Sequence, residues 1–416
     1  MPEPTRKAPT IQAWPVGFAP VAKDQRIEVI DALRGFALLG VLIVNLRDFS
    51  LFELLPETAR ATLPTAGWDH FIELAMTALV DGKAMTVFTI LFGVGFALQM
   101  QRAAEGTGRK IIYFRRLFVL LLIGLVHAFV WWGDILLLYA LMGLLLLPFA
   151  SLRARTLALL GVAIALFSSP LLRPWMNEWL PKIAPAPEAS AAALTAFSAL
   201  QWDGMLSANA SHFFWSRISA WGLPFFTLGR LLLGVALGYP GVLRAPESNQ
   251  RFWRRLRWAG LSLGILLTAF VMLRDQEVIG AGSTWWKTEP GRSILRIARS
   301  GGSLFLGLGY VAIFVELFQT AGWRRWLEYF SPVGRMALTN YLTQTVLGIG
   351  LFYGVGFGIG PRFGLGGVLA AGAVIFVVQL WWSSWWLERF RFGPVEWVWR
   401  CLTYGRRFPL RRVAPA

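Results

Sequence analysis

The chain has 416 residues, of which 56% are hydrophobic and only 15% charged, with a net charge of +17. Such a composition excludes an ordinary soluble domain. The apolar residues come in blocks of about 20, the length of a helix that crosses a hydrocarbon core roughly 30 Å thick. A single cysteine, Cys401, and three histidines in separate segments exclude a disulfide framework and any recognisable metal-ligand spacing, so no metal is expected. The positive charge would suit nucleic acid, but it gathers in short loops between apolar blocks, where it sets orientation; no nucleic-acid partner is expected.

Residues 1–26 are polar and proline-bearing, lack the apolar core of a signal peptide, and are expected to form a cytoplasmic tail. A first span is predicted at 27–46, then an acidic segment with a short helix at 68–80, and a second span at 84–101 whose Gly93 and Gly95 permit close helix packing. Spans at 112–131 and 134–150 form a hairpin through Trp131-Trp132-Gly133-Asp134, and another span follows at 156–173. The connection at 174–220 is rich in Pro, Ala and then aromatics, and is expected to lie outside the cytoplasm at the membrane interface. Further spans are predicted at 221–239, 258–273, 295–318, 336–356 and 364–386. The fold class is therefore all-α, a polytopic membrane protein of about ten transmembrane helices. Most of the 40 Lys and Arg residues then fall on one side, which predicts both termini inside. The expected organisation is a tail at 1–26, an N-terminal bundle at 27–173, the connection, a C-terminal transmembrane region at 221–405, and a basic tail at 406–416.

Within these apolar blocks the polar residues are costly, since an ionisable group near a bilayer centre costs about 2.5–3.5 kcal/mol on insertion scales. At about 100° per residue, Asp31, Arg34 and Asn45 fall within roughly 60° on the first span, so that stripe must face protein or a watered cavity. Asp31 and Arg34 also stand at pairing distance, i and i+3, which offers a purely structural use. His127 and Asp134 flank the hairpin: facing each other they would make a base and its orienter, while Asp134 alone would cap a helix. Arg230 lies mid-span, where a guanidinium cannot snorkel and needs an anionic ligand or a partner such as Asp31 or Glu316. Asn340 and Gln344 share one broad face of the span at 336–356, suited to ligand contact or to holding helices together. Arg335 opens that span and can hold a phosphate or a lipid headgroup; Lys83, at the outer start of the second span, can bind substrate or anchor.

The runs RIEVIDALRGFALLGVLIVNL (Arg26 to Leu46), VDGKAMTVFTILFGVGFALQ and GLVHAFVWWGDILLLYALMGLLLLPF resemble the YeiB-like membrane proteins. The segments LGRLLLGVALG, GRMALTNYLTQ and RFRFGPVEWVWRCLTYG are similar to their domain of unknown function 418. More distantly, the first span resembles the opening helix of transmembrane acyltransferases. In the acyltransferase-3 branch an LRG-type opening is followed after ten residues by a histidine. Arg34 matches the arginine, but position 45 is Asn45, as in the heparan-α-glucosaminide N-acetyltransferase branch. The base must then come from elsewhere, from His127 or, second, His70.

The resemblance implies an acyltransferase of a bacterial-type cytoplasmic membrane. Acyl-CoA would be the co-substrate, with no covalently bound cofactor, and a glycan or lipid the acceptor among surrounding membrane lipids. Its phosphates would sit near Arg34, Arg335 or the basic loops, His127 and Asp134 would handle the proton, and Asn45 would donate to the oxyanion. The competing reading is a transporter, flippase or binding protein for an anionic lipid, quinone or small acid, with Arg230 holding the cargo.

Overall fold

The computed structural model describes residues 27–102, 108–360 and 362–412. The predicted tail at 1–26 and the last four residues of the basic tail lie outside the described residues. In chain order the helices are α1 (Glu28–Phe49), α2 (Glu57–Arg60), α3 (Ala66–Leu79), α4 (Lys83–Arg102), α5 (Gly108–Val130) and α6 (Leu136–Leu144). They continue as α7 (Ala154–Trp179), α8 (Ala186–Ser198), α9 (Trp202–Ser219), α10 (Leu223–Gly238), α11 (Gln250–Asp275) and α12 (Glu289–Phe318). The chain ends with α13 (Ala321–Leu327), α14 (Ser331–Arg335), α15 (Ala337–Phe352), α16 (Leu365–Arg389) and α17 (Pro394–Tyr404). This is an all-α polytopic membrane protein.

Each predicted span is helical, but they are not equally long. Among the described residues, seven helices are long and apolar enough to cross a membrane, or eight if α9 and α10, bent by 69° at a short break, count as one crossing. The expected count of about ten is reduced because α6 has only nine residues and α15 sixteen. At about 1.5 Å per residue neither reaches across a roughly 30 Å core by itself. The connection at 174–220 is also more ordered than its composition suggests. It holds the last residues of α7, then α8 and α9, and α9 continues through the bend into the apolar α10.

Side-chain volume at helix crossings decides how these elements approach. In α1 a Cβ on Gly35 would lie 2.1 Å from the Phe330 carbonyl oxygen, and one on Gly334 in α14 would lie 1.8 Å from that of Asp31. The two backbones meet only because both positions lack a side chain. Gly93 of α4 and Gly234 of α10 repeat the device, each projecting onto the other helix's backbone at 2.1–2.2 Å. Helices of the N-terminal and C-terminal regions thus interleave in one bundle, with α1 packed on α4, α14, α15 and α16.

Candidate functional site

A cavity of about 210 Å³ opens between α1, α4, α5, α6, α15 and α17. Several walls change character along their helices. On α1 the wall begins with Arg34 and continues with Leu38 and Val41; on α5 Tyr113 and Arg116 give way to Leu117 and Leu120. On α4, running the other way, Gln99 gives way to Phe96, Phe92 and Phe88. Arg335 ends α14, followed inward by Leu338 and Tyr341, while α17 contributes Glu396, Trp399 and Arg400. One end therefore carries four guanidinium groups, the middle is aromatic and aliphatic, and Tyr139 and Tyr341 stand at the inner end.

The mouth is built by local bonds. Arg34 pairs with Asp31 at 3.2 Å, as their i, i+3 spacing allows, and the Gly35–Gly334 crossing brings Arg335 beside it. Arg116 donates to Gln99 Oε1 at 3.0 Å and lies over the Trp399 ring, whose Nε1–H donates to the Arg116 carbonyl. Glu396 Oε1 accepts the Leu338 and Thr339 amides at 2.7 and 3.0 Å, and its Oε2 accepts the Thr339 hydroxyl at 2.5 Å. These are orphan donors of the first turn of α15, where a carboxylate suits the positive end of the helix dipole. Burial nevertheless pushes the Glu396 carboxyl above its usual range, with the Thr339 and backbone hydrogen bonds pulling the other way.

Beyond the inner end lies a polar line inside the bundle. His127 Nδ1 is 2.6 Å from Asp134 Oδ2, and His127 Nε2 is 2.8 Å from the Thr345 hydroxyl. Asp134 serves both uses that its position allows: it faces the imidazole and also caps α6 by accepting the Leu136 and Leu137 amides at 3.1 and 2.8 Å. The Tyr341 ring, part of the cavity wall, has its centre 5.1 Å from that of His127. Above the hairpin, α9 fixes the backbone: Asn209 Nδ2 donates to the Ala128 and Phe129 carbonyls, and Arg217 to those of Trp132 and Asp134.

Other expected residues stand elsewhere. Asn45 is half-buried one turn beyond Val41 and does not line the cavity, so the oxyanion role expected of it finds no support there. Arg230 is fully buried, but neither acid expected as its partner reaches it: Asp31 pairs with Arg34, and Glu316 with Arg257. Its donors go instead to Thr86 Oγ1, the Phe226 and Ser300 carbonyls and Ser303 Oγ at 2.7–3.2 Å, and the group lies over the Phe226 ring. Lys83 is buried, with Nζ donating to the Thr77 carbonyl rather than reaching the cavity or an outer surface. Asn340 donates to the Val333 carbonyl and Ser383, and Gln344 to Gln379, so both tie α15 to its neighbours. His70 is exposed on α3. Among the described residues no group of three or more His, Cys, Asp and Glu side chains is placed to hold a metal.

Three cavity residues, and Thr345 behind them, carry little signal in the sequence. Arg116 and Arg400 read as members of a basic loop and a basic tail, and Tyr341 and Thr345 as ordinary members of an apolar span. Only α15's periodicity, which puts Tyr341 and Thr345 one turn apart on one face, carried any signal.

Helices long and apolar enough to cross a membrane, packed around an arginine-mouthed cavity, define a polytopic membrane protein with an interior cavity. Residues 237–406 match the family described as "Protein of unknown function (DUF418)". The chain is 33% identical over 412 residues to "Uncharacterized protein YxaH" of Bacillus subtilis, covering 92% of this chain and 96% of that protein. It is 28% identical over 403 residues to "Uncharacterized protein YeiB" of Escherichia coli, covering 94% and 98%. The chain belongs to this YeiB-like DUF418 family. No solved structure matches it.

Proposed function

We propose that the protein is an acyltransferase of the bacterial cytoplasmic membrane, taking an acyl group from a cytoplasmic acyl-CoA and passing it to an extracytoplasmic or lipid-linked hydroxyl or amine. The observation that carries this reading is the cavity's graded wall, with guanidinium groups at one end and a His–carboxylate pair one side chain beyond the other. Arg34, Arg116, Arg335 and Arg400 suit the phosphates of the donor, because guanidinium groups bind phosphate oxygens in bidentate fashion. The Phe88–Phe92–Phe96 wall suits the apolar stem and acyl chain, which brings the thioester towards Tyr341. His127, oriented by Asp134, takes the proton of the attacking hydroxyl or amine. The likeness of α1 to the opening helix of transmembrane acyltransferases adds support. Asn45 in place of a helix-one histidine fits a base supplied by α5. The carrier reading draws on Arg230, but that guanidinium is turned to neutral oxygens and does not line the cavity.

Calorimetric titration of the purified protein with acetyl-CoA and palmitoyl-CoA tests the reading. At least one should bind, and Arg400→Gln should weaken it about tenfold, the cost of one charge-assisted contact. If neither thioester binds, the reading is wrong; a His127→Ala strain that keeps all its envelope acyl groups overturns the role of His127.

A further inference from the structure

Thr345 has no part in the reading above, yet it completes a line of three side chains. Asp134 Oδ2 lies against His127 Nδ1, which fixes that nitrogen as the N–H and leaves the lone pair on Nε2. The Thr345 hydroxyl, 2.8 Å from Nε2, is therefore the donor. Carboxylate, imidazole and hydroxyl in that order, with the imidazole in its proton-accepting tautomer, is the arrangement that makes a nucleophile of an alcohol.

Thr345 also differs from several of the protein's helical threonines. A threonine that satisfies itself in a helix donates to the carbonyl four residues earlier, as Thr86, Thr89, Thr343 and Thr403 do. Thr345 is turned instead to an imidazole 218 positions away in the chain. It follows Tyr341 by one turn on α15, so the hydroxyl sits directly behind the residue that closes the cavity.

We propose that Thr345 is the nucleophile of a two-step transfer and holds the acyl group as an ester; this rests on the acyl-transfer reading. In the first step Thr345 Oγ bonds to the thioester carbonyl carbon while its proton passes to His127 Nε2. The C–S bond breaks, and the leaving thiolate takes that proton. In the second step the acceptor hydroxyl or amine gives a proton to Nε2 and attacks the ester. Thr345 Oγ departs and recovers the proton. Donor and acceptor then never need to occupy the site together, which suits a relay approached from opposite sides of the membrane.

The test uses an alkyl fluorophosphonate on the full-length protein in nanodiscs, followed by peptide mass analysis. Attack on phosphorus expels fluoride and needs no knowledge of the natural donor. A single adduct on Thr345 is expected, absent from Thr345→Val, kept by Thr345→Ser, and formed about 100-fold more slowly by His127→Gln. Tyr341→Ala, which removes the intervening ring, should speed labelling. Thr345→Val keeps the branched shape, and its melting curve shows whether it is folded. Thioester binding is measured on the same wild-type preparation. Binding without an adduct on Thr345 overturns the nucleophile and leaves acyl transfer standing. Absence of thioester binding overturns both, whatever is labelled.

Discussion

Arg230 shows how a charge can sit inside a membrane bundle without a counter-charge. Four neutral oxygens and an aromatic face take the place of water around it, drawn from α4, α10 and α12. Thr86 and Ser303 each keep a backbone carbonyl as a second partner, to Gly82 and Ser300. Removing the guanidinium therefore leaves no orphaned hydroxyl, only a hole and three helices less firmly joined. Arg230→Ala is expected to destabilise the protein by about 2–4 kcal/mol, read as a lower melting temperature, while thioester binding stays within about twofold. A large loss of binding with unchanged stability would return Arg230 to the role of cargo site. The sequence announces that such an arginine is buried, because its span has no end within reach. It cannot name the partners, since hydroxyls from two other helices are uncharged and common. His127 and Asp134 were legible for the opposite reason: seven residues and one tight turn separate them.

At the scale of helices, glycine is put to two opposed uses within three residues of α4. Gly93 has the α10 backbone where its side chain would be, whereas a Cβ on Gly95 would meet nothing within 4 Å and would point into open space at the cavity wall. From the sequence both are expected to be packing positions, because a G-x-G pair in an apolar run looks the same in either use. The crossing of α1 with α14 is tighter still, and it places Arg34 and Arg335 at the mouth. Gly334→Ala must push these helices apart, and we expect about 1–3 kcal/mol of destabilisation together with weakened thioester binding. Gly95→Ala should leave the melting temperature unchanged, and Gly95→Leu should block binding by filling the cavity while the protein remains folded. Tryptophan-fluorescence melts and titrations on the three variants separate these effects. If Gly334→Ala melts like the wild type, the glycine crossing does not set the geometry of the mouth. The short helix α6 is legible as apolar but not as truncated, because the leucines that follow it continue the same composition, whereas α15 ends just before a change to glycine-rich sequence from Gly354.

For the whole molecule the decisive question is which face of the membrane the arginine mouth meets. Charge asymmetry among the loops predicts the cytoplasmic face, and an acyl-CoA donor requires it. The protein carries its own reporter. Cys401, the sole cysteine, follows Arg400 on α17 and is half-buried beside the mouth. A membrane-impermeant maleimide should leave Cys401 unmodified in intact spheroplasts and modify it in inverted membrane vesicles, with Cys401→Ser confirming the site. Palmitoyl-CoA or acetyl-CoA, whichever binds, should slow the reaction in vesicles, because the ligand's phosphates would crowd the same end of the cavity. Modification from outside would reverse the orientation and place the arginines where no CoA ester is found.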